Sequence, residues 1–320
     1  MNCEQLPPAY SPDIIALEPG LPVLPSCICK IQPANLSKKY KISKSKKQNS
    51  KIAPFVGDML SASEVTTYVF VLDDSGSMKT KVNIPIQYGR LCETTRCEEQ
   101  YDSARITFNL IKKKCPTSKI DIYFLNGVEP FLDVKNKKQL NRILKKTPGG
   151  GTPLFTTLKK IYDKYKHSQT KISITLWTDG VPDQNDGTLA DTVFRMFYPN
   201  NKTTIFGICI VLCTDEQNVV DLYGTYDEKY PLEVYDDYYS QIKQIYQVQK
   251  TNEELSNINK ETYFGLILTT QWCPELDSLN EIPISEEKLY EIAERFCNEH
   301  SHVSHEQIHL NWFQRIFACN

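Results

Sequence analysis

An oxygen-rich segment follows an apolar run in the first third of the chain. The run Tyr68–Leu72 is followed by Asp73, Ser75 and Ser77, with Gly76 between the two serines. Carboxylate and hydroxyl oxygens are the ligands that hard divalent cations prefer. Gly76 has no side chain, so the loop can turn tightly enough to aim both hydroxyls at one point. The segment therefore predicts part of a site for Mg²⁺ or Mn²⁺, since both ions suit such oxygens.

Two segments further along the chain supply oxygen ligands of the same type. A run of three glycines, 149–151, leads to Thr152, and an apolar segment ends at Asp179, which Gly180 follows. Taken singly, these residues also fit ordinary turns or a helix N-cap. Together with the first segment they give two carboxylates and three hydroxyls on three loops. That combination favours a metal site over unrelated turns.

Alternating strands and helices are predicted to position these loops. Apolar or β-branched runs predict strands at 66–72, 119–125, 130–134, 171–178 and 204–212, and 3–4 residue spacing predicts helices between them, including one over 187–198. The pattern predicts an α/β fold, a Rossmann-like doubly wound and mostly parallel sheet. Such sheets bind ligands at the carboxyl ends of their strands, which is where the oxygen-rich loops fall.

The ordered set of oxygen residues resembles the complete metal-ion-dependent adhesion site (MIDAS) of von Willebrand factor type A (vWA) domains. The resemblance covers roughly residues 62–250, with Asp74 at the variable position, and rests on Asp73, Ser75, Ser77, Thr152 and Asp179. Segments 234–240 and 263–281 are also similar to intracellular members of the family that have no settled activity. The expected function is therefore that of an intracellular interaction protein rather than an enzyme.

The resemblance implies a role for each ligand. Ser75 and Ser77 would bind the cation directly, Thr152 would do so in a ligand-competent state, and Asp73 and Asp179 would act mainly through water. With no carboxylate bound directly, the Mg²⁺ or Mn²⁺ keeps its charge and can recruit an Asp or Glu side chain from a partner protein. Helix N-termini around the site are expected to favour that anion. Direct binding of Asp179 would quench the attraction, so a small loop movement could switch affinity.

Composition divides the chain into three predicted regions. Residues 1–61 are a Pro-rich and Lys-rich arm expected to be extended and disordered, 62–250 form the vWA domain, and 251–320 form a small, mainly helical C-terminal extension. Ser285 is the predicted N-cap of a helix in the extension.

The arm carries two candidate interaction motifs. Pro7, Pro8 and Tyr10 form a Pro-Pro-x-Tyr (PPxY) sequence, which fits the ligand of a WW domain. Residues 38–51 contain seven lysines and no acidic residue. Such a run is either a solvated linker or a contact for phosphate groups of nucleic acid or lipid.

Other functions remain open from the sequence. A tethering arm would suit a structural component of a large assembly such as a viral particle. His305 and His309, with Glu306 between them, match the zinc-peptidase signature, although no His, Asp or Glu follows in 310–320 to complete the site. A structural zinc site drawing on Cys297, His300 or His302 is another alternative, as is metal-assisted hydrolysis at the adhesion site.

Composition also bears on location. Of the 320 residues, 24% are charged and eleven are cysteines, and the net charge is −2. No apolar stretch approaches the ~20 residues of a membrane-spanning helix, and the first residues show no signal-peptide pattern. An odd number of scattered cysteines indicates reduced thiols. The expected location is cytoplasmic, or in the virion if the protein is viral.

Overall fold

The computed structural model describes residues 52–85, 91–202, 204–249 and 258–300. The interaction motifs of the arm and the histidine pair near the C-terminus lie outside these residues, as do residues 1–51 and 301–320 as a whole. The predicted division into three regions stays a prediction.

A central sheet of five parallel strands forms the middle layer. Its strand order is β4-β1-β5-β6-β7. The strands are β1 (Val65–Leu72), β4 (Lys119–Phe124), β5 (Lys171–Thr178), β6 (Phe206–Leu212) and β7 (Glu233–Tyr235). This arrangement confirms the predicted α/β fold with a mostly parallel sheet.

Helices cover both faces of the sheet. They are α1 (Ile52–Ala62), α2 (Arg96–Lys114), α3 (Lys137–Ile143), α4 (Leu154–Tyr165), α5 (Gln184–Gly187), α6 (Ala190–Phe197), α7 (Gln217–Asp227), α8 (Tyr238–Val248), α9 (Lys260–Thr270) and α10 (Glu286–His300). In the described part of the chain, three 3-10 helices, Gly76–Lys79, Pro199–Asn201 and Pro274–Asn280, lie after β1, α6 and α9. Ser285 accepts a hydrogen bond from the Lys288 N–H (3.1 Å), as expected of an N-cap. Among the described residues, no helix combines the length and the apolar character needed to cross a bilayer.

The two faces of the sheet bury separate hydrophobic clusters, because alternate side chains of a strand point to opposite sides. On β1, Phe70 and Leu72 face the cluster formed with α1, α2, α9 and α10, while Val69 and Val71 face the cluster formed with α4 and α6. Helix α9 is buried along nearly its whole length. The helices after residue 258 therefore share a core with the sheet.

One predicted strand is reduced to a single antiparallel bridge. In the segment 130–134, Phe131 exchanges both backbone hydrogen bonds with Ile122 of β4 (2.8 and 2.9 Å), but no regular strand forms. In contrast, a two-stranded antiparallel ribbon, β2 (Lys81–Pro85) and β3 (Leu91–Thr95), lies outside the main sheet and was not predicted. The ribbon buries few side chains, so it left no clear apolar alternation in the sequence.

The direction of winding reverses beside β1. From β1 the chain goes first to β4 on one side and later to β5 on the other. At such a switch point the connections leave in opposite directions, and a crevice opens at the carboxyl ends of the two strands. Asp73 directly follows β1 and Asp179 directly follows β5. The fold therefore places both predicted carboxylates at the crevice.

Candidate metal centre

Asp73 is fixed at the end of β1 by backbone contacts. Its N–H donates to the Trp177 carbonyl of β5 (3.0 Å) and to Oε1 of Gln100 on α2 (3.0 Å). The Gln100 side-chain amide donates in return to the Asp73 carbonyl (2.9 Å). Strand β5 and helix α2 thus clamp the first residue of the loop from two sides.

The Asp73 carboxylate is fully buried and both of its oxygens have donors within the protein. Oδ1 accepts from the Ser75 N–H (2.8 Å) and Oδ2 accepts from the Thr178 hydroxyl (2.6 Å). Burial raises the pKa of Asp73 above its usual value, although the hydrogen bonds from Thr178 and Ser75 act in the opposite direction. This placement behind the loop agrees with an indirect role for Asp73.

The two serines and Asp179 form a continuous chain of oxygens. The hydroxyls of Ser75 and Ser77 are 2.9 Å apart, and Ser77 donates to Oδ1 of Asp179 (2.7 Å). Neighbouring ligands of an octahedral Mg²⁺ with bonds of about 2.0–2.1 Å lie about 2.9 Å from each other. The spacing of the serine hydroxyls, which is that of a hydrogen bond between them, also fits two neighbouring ligands of such an ion.

Thr152 reaches the same place from the glycine loop. A Cβ added to Gly180 would lie 3.5 Å from Oγ1 of Thr152 and 3.7 Å from Oγ of Ser77. Both hydroxyls thus face the space beside Gly180. The glycine loop is tied to the first loop by two backbone bonds, from Gly76 N–H to the Gly150 carbonyl (3.1 Å) and from Gly149 N–H to the Asp74 carbonyl (2.6 Å).

Asp74 stands at the variable position of the motif, yet it is buried and connects loops. Its Oδ1 accepts from the backbone N–H of Asn126 (2.8 Å) and from the Asn126 side-chain amide (3.2 Å), and its carboxylate also pairs with Lys146. The Asn126 amide in turn donates to the Gly151 carbonyl (2.8 Å). Asp74 therefore holds the glycine loop in place and does not face the space between the hydroxyls.

The N-terminus of α4 is occupied by a carboxylate of the protein itself. Asp186 accepts hydrogen bonds from the N–H groups of Phe155 (2.6 Å) and Thr156 (2.8 Å) and from the Thr156 hydroxyl (2.6 Å). These first-turn groups would otherwise lack a partner. At α4 the expected attraction for an incoming anion is opposed, because the Asp186 carboxylate already accepts the N–H groups of the first turn.

Arg96, the first residue of α2, binds the Asp179 oxygen that does not accept the Ser77 hydroxyl. Its Nη1 donates to Oδ2 of Asp179 (3.0 Å), and its Nη2 donates to Thr214 (2.9 Å) and Glu216 (2.8 Å). The side chains of Arg96 and Asp179 are both buried. The two Asp179 oxygens are thus divided between a hydroxyl of the site and a guanidinium.

The donor set suits a hard cation and does not suit a zinc ion. The described residues contain no group of three or more His, Cys, Asp or Glu side chains that could hold a metal, whereas three hydroxyls and two carboxylates meet at the crevice. Oxygen donors of this kind match Mg²⁺ or Mn²⁺. Both carboxylates accept hydrogen bonds from protein donors, and the Ser75 and Ser77 hydroxyls, although bonded to each other and to Asp179, keep oxygen lone pairs with which they could bind an ion directly.

Three supporting residues of the site are absent from the sequence prediction. Gln100, Arg96 and Asp186 come from helices α2 and α5, far along the chain from the loops that they hold. A polar residue on an otherwise apolar helix face was the available signal for Gln100. For Arg96 and Asp186 the sequence offers no spacing that connects them to the loops.

Fold and site together define an α/β protein with an oxygen-lined crevice at the switch point of a parallel sheet. No family model matches the chain, and a search of curated proteins found no match.

Two solved structures with some similarity are vWA domains. The SpRpn10 VWA domain is 13% identical, with a TM-score of 0.41 over 54% of this chain and 87% of that one. The ArnB paralog VWA2 from Sulfolobus acidocaldarius is 20% identical, with a TM-score of 0.30 over 47% of this chain. The match spans about a third (34%) of the ArnB paralog.

Proposed function

We propose that this chain is a metal-dependent interaction module without catalytic activity. In this proposal Ser75, Ser77 and Thr152 hold Mg²⁺ or Mn²⁺, with Asp73 and Asp179 in supporting positions. The bound ion then recruits an Asp or Glu side chain of a partner protein.

The observation that carries the proposal is the convergence of three neutral hydroxyls on one space. The Ser75 and Ser77 hydroxyls have the separation of adjacent octahedral ligands, and Thr152 faces the same space as Ser77. The Asp73 carboxylate is turned toward Ser75 N–H and Thr178 behind the loop. A cation held mainly by neutral oxygens keeps most of its charge, and that charge attracts a further carboxylate.

Titration calorimetry with MgCl₂ tests the metal step. We expect Ser77→Ala to weaken Mg²⁺ binding by about tenfold or more, because it removes one hydroxyl ligand. The matched control is Thr170→Ala, which removes an exposed hydroxyl directly before β5, at the end of that strand opposite Asp179. Equal Mg²⁺ affinity of Ser77→Ala and wild type would contradict the proposal.

The partner step needs a separate experiment. Proteins retained by the immobilised wild-type chain in Mg²⁺ should be released by a chelator and should not be retained by Ser77→Ala. In a partner so identified, changing the contacting Asp or Glu to its amide should abolish retention. Retention that survives both the chelator and the substitution would show that binding does not use the ion.

Three further sequence predictions belong to the proposal. Two concern residues outside the described part of the chain, and the third concerns the location of the protein in the cell. Pro7, Pro8 and Tyr10 would bind a WW domain, the lysines of 38–51 would serve as a linker or contact phosphate groups, and the protein would be cytoplasmic.

A further inference from the structure

Arg96 places a permanent positive charge against a carboxylate of a site proposed to bind a cation. Its side chain is buried, and its Nη1 is 3.0 Å from Oδ2 of Asp179. The other oxygen of the same carboxylate accepts the Ser77 hydroxyl at 2.7 Å. A guanidinium here opposes the binding of a second cation, so its presence calls for an explanation.

The stability of α2 does not explain the position of Arg96. The helix N-terminus carries a partial positive charge, so a basic residue at its first position is unfavourable. The helix start is already satisfied by a capping box, in which Thr95 and Glu98 exchange hydrogen bonds. Arg96 must therefore be held by what its side chain contacts rather than by its helix.

The contacts of Arg96 connect the metal centre to the start of α7. Besides Asp179, the guanidinium binds Thr214 (2.9 Å) and Glu216 (2.8 Å), which lie directly before that helix. Glu216 is about half exposed, whereas Asp179 is fully buried. The backbone N–H of Arg96 also donates to the Thr80 carbonyl (3.1 Å), next to the 3-10 helix that contains Ser77. Contacts with Thr214, Glu216 and Thr80 thus fix Arg96 in the position from which it binds Asp179.

We propose that Arg96 is a positioning residue that keeps Asp179 out of direct contact with the bound ion and so preserves the ion's attraction for a partner carboxylate. The inference rests on the proposed function and adds its regulation. An Asp179 freed from the guanidinium would bind the ion directly, tighten its binding and neutralise part of its charge. Glu216 binds the same guanidinium as Asp179. A change in the position or charge of Glu216, at the start of α7, would therefore alter how strongly Arg96 holds Asp179.

Manganese is the probe for the first test, since its effect on water-proton relaxation reports the water molecules bound to it. In the full chain, Arg96→Met should bind Mn²⁺ about tenfold or more tightly and give lower relaxation per bound ion, because Asp179 replaces a water. Acetate, as a model carboxylate, should displace water from the wild-type complex at lower concentration than from Arg96→Met. A merely structural ion pair would change neither the relaxation nor the acetate dependence.

A double-mutant cycle shows whether Arg96 acts through Asp179. The gain in Mn²⁺ affinity from Arg96→Met should disappear when Asp179→Asn is already present. A gain of equal size in both backgrounds, or an unchanged affinity and relaxation in Arg96→Met, would overturn the inference. Circular dichroism with chelator present shows whether each variant is folded.

Glu216→Gln provides a second test that leaves Arg96 intact. Without Glu216 the guanidinium charge acts more fully on Asp179, so Mn²⁺ affinity should fall about threefold or more. Asp221→Asn removes one negative charge on α7 without touching Arg96, and its affinity should stay within about twofold of wild type. Equal effects of the two variants would contradict the inference.

The two proposals fail in different ways. If the wild type binds Mn²⁺ and the Arg96 and Glu216 variants behave like it, only the role of Arg96 is wrong. If the wild type does not bind Mn²⁺ but Arg96→Met does, the proposed function is wrong and Arg96 acts as a cation in place of the metal. If neither binds, both proposals are wrong.

Discussion

Gly150 is the residue of the glycine run on which the loop conformation depends most. Its φ of +105° is one that side chains rarely adopt, and a Cβ added there would lie 2.6 Å from Oδ1 of Asn126. Its carbonyl accepts the Gly76 N–H from the first loop. We expect Gly150→Ala to lower the free energy of unfolding by about 1–3 kcal/mol and to weaken Mg²⁺ binding.

The adjacent Gly149 is the matched control for that prediction. Nothing lies within 4 Å of a Cβ added there. Urea unfolding with chelator present measures stability, and calorimetry measures Mg²⁺ affinity. A Gly149→Ala variant that loses as much of either as Gly150→Ala would show that loop flexibility matters, rather than the backbone angle of one residue.

At the residue scale, the sequence predicted the oxygen-bearing residues that the fold brings together better than it predicted the residues that hold them in place. Ser75 and Ser77 could be recognised because their spacing is local and their oxygens suit one ion. Arg96 and Asp179 are 83 positions apart and meet only in the folded chain. No rule of local spacing connects two such residues, so their contact had to come from the structure.

Helix α9 depends on close packing against α1. A Cβ added to Gly265 of α9 would lie 2.4 Å from Cγ1 of Val56, which is buried. Overpacking of this kind typically costs about 1–3 kcal/mol, since one of the two helices must move. We expect Gly265→Ala to lower the urea midpoint.

Gly224 of α7 serves as the control for α9, because nothing lies within 4 Å of its added Cβ. Alanine is more favourable than glycine in a helix interior by about 1 kcal/mol. Gly224→Ala should therefore raise the midpoint while Gly265→Ala lowers it. Two changes of the same sign would contradict the close contact between α1 and α9.

Acidic side chains from β7 and the 3-10 helix Pro274–Asn280 meet at one edge of the sheet. Burial raises the pKa of Glu233 to about 9, and the negative charges of Asp277 and Asp227 add to the effect. In the unfolded chain a glutamate ionises near pH 4.3. Between these values the folded chain keeps the proton and the unfolded chain releases it, so this group makes stability fall as pH rises.

Glu233→Gln should remove that pH dependence, because glutamine does not ionise. Urea midpoints at pH 5.5, 7 and 8.5 should fall less steeply for Glu233→Gln than for wild type. Glu129→Gln, an exposed residue after β4, is the control and should follow the wild type. Parallel curves for Glu233→Gln and wild type would show that Glu233 is ionised in the folded chain.

At the scale of the whole molecule, the alternation of strands and helices was enough to predict the fold class, because buried parallel strands are continuous apolar runs. The predicted position of the candidate site followed from the fold class, since ligands bind at the carboxyl ends of such strands. The ribbon β2–β3 and the short strand β7 could not be predicted. Both are short, and their positions are set by contacts with neighbouring elements rather than by a regular spacing of apolar residues in the sequence.

The candidate metal centre joins loops that belong to both faces of the molecule. The first loop leaves β1 toward α2 on one face, and the glycine loop leads into α4 on the other. An ion held between them, as proposed, would bind only the folded chain and would stabilise it by mass action, by about 2.7 kcal/mol at a concentration of 100 times Kd. We expect the urea midpoint to rise with MgCl₂ and not with KCl of equal ionic strength. Ser77→Ala should lose most of this rise, whereas Thr170→Ala should keep it; an equal response of the two variants would place the stabilising ion elsewhere.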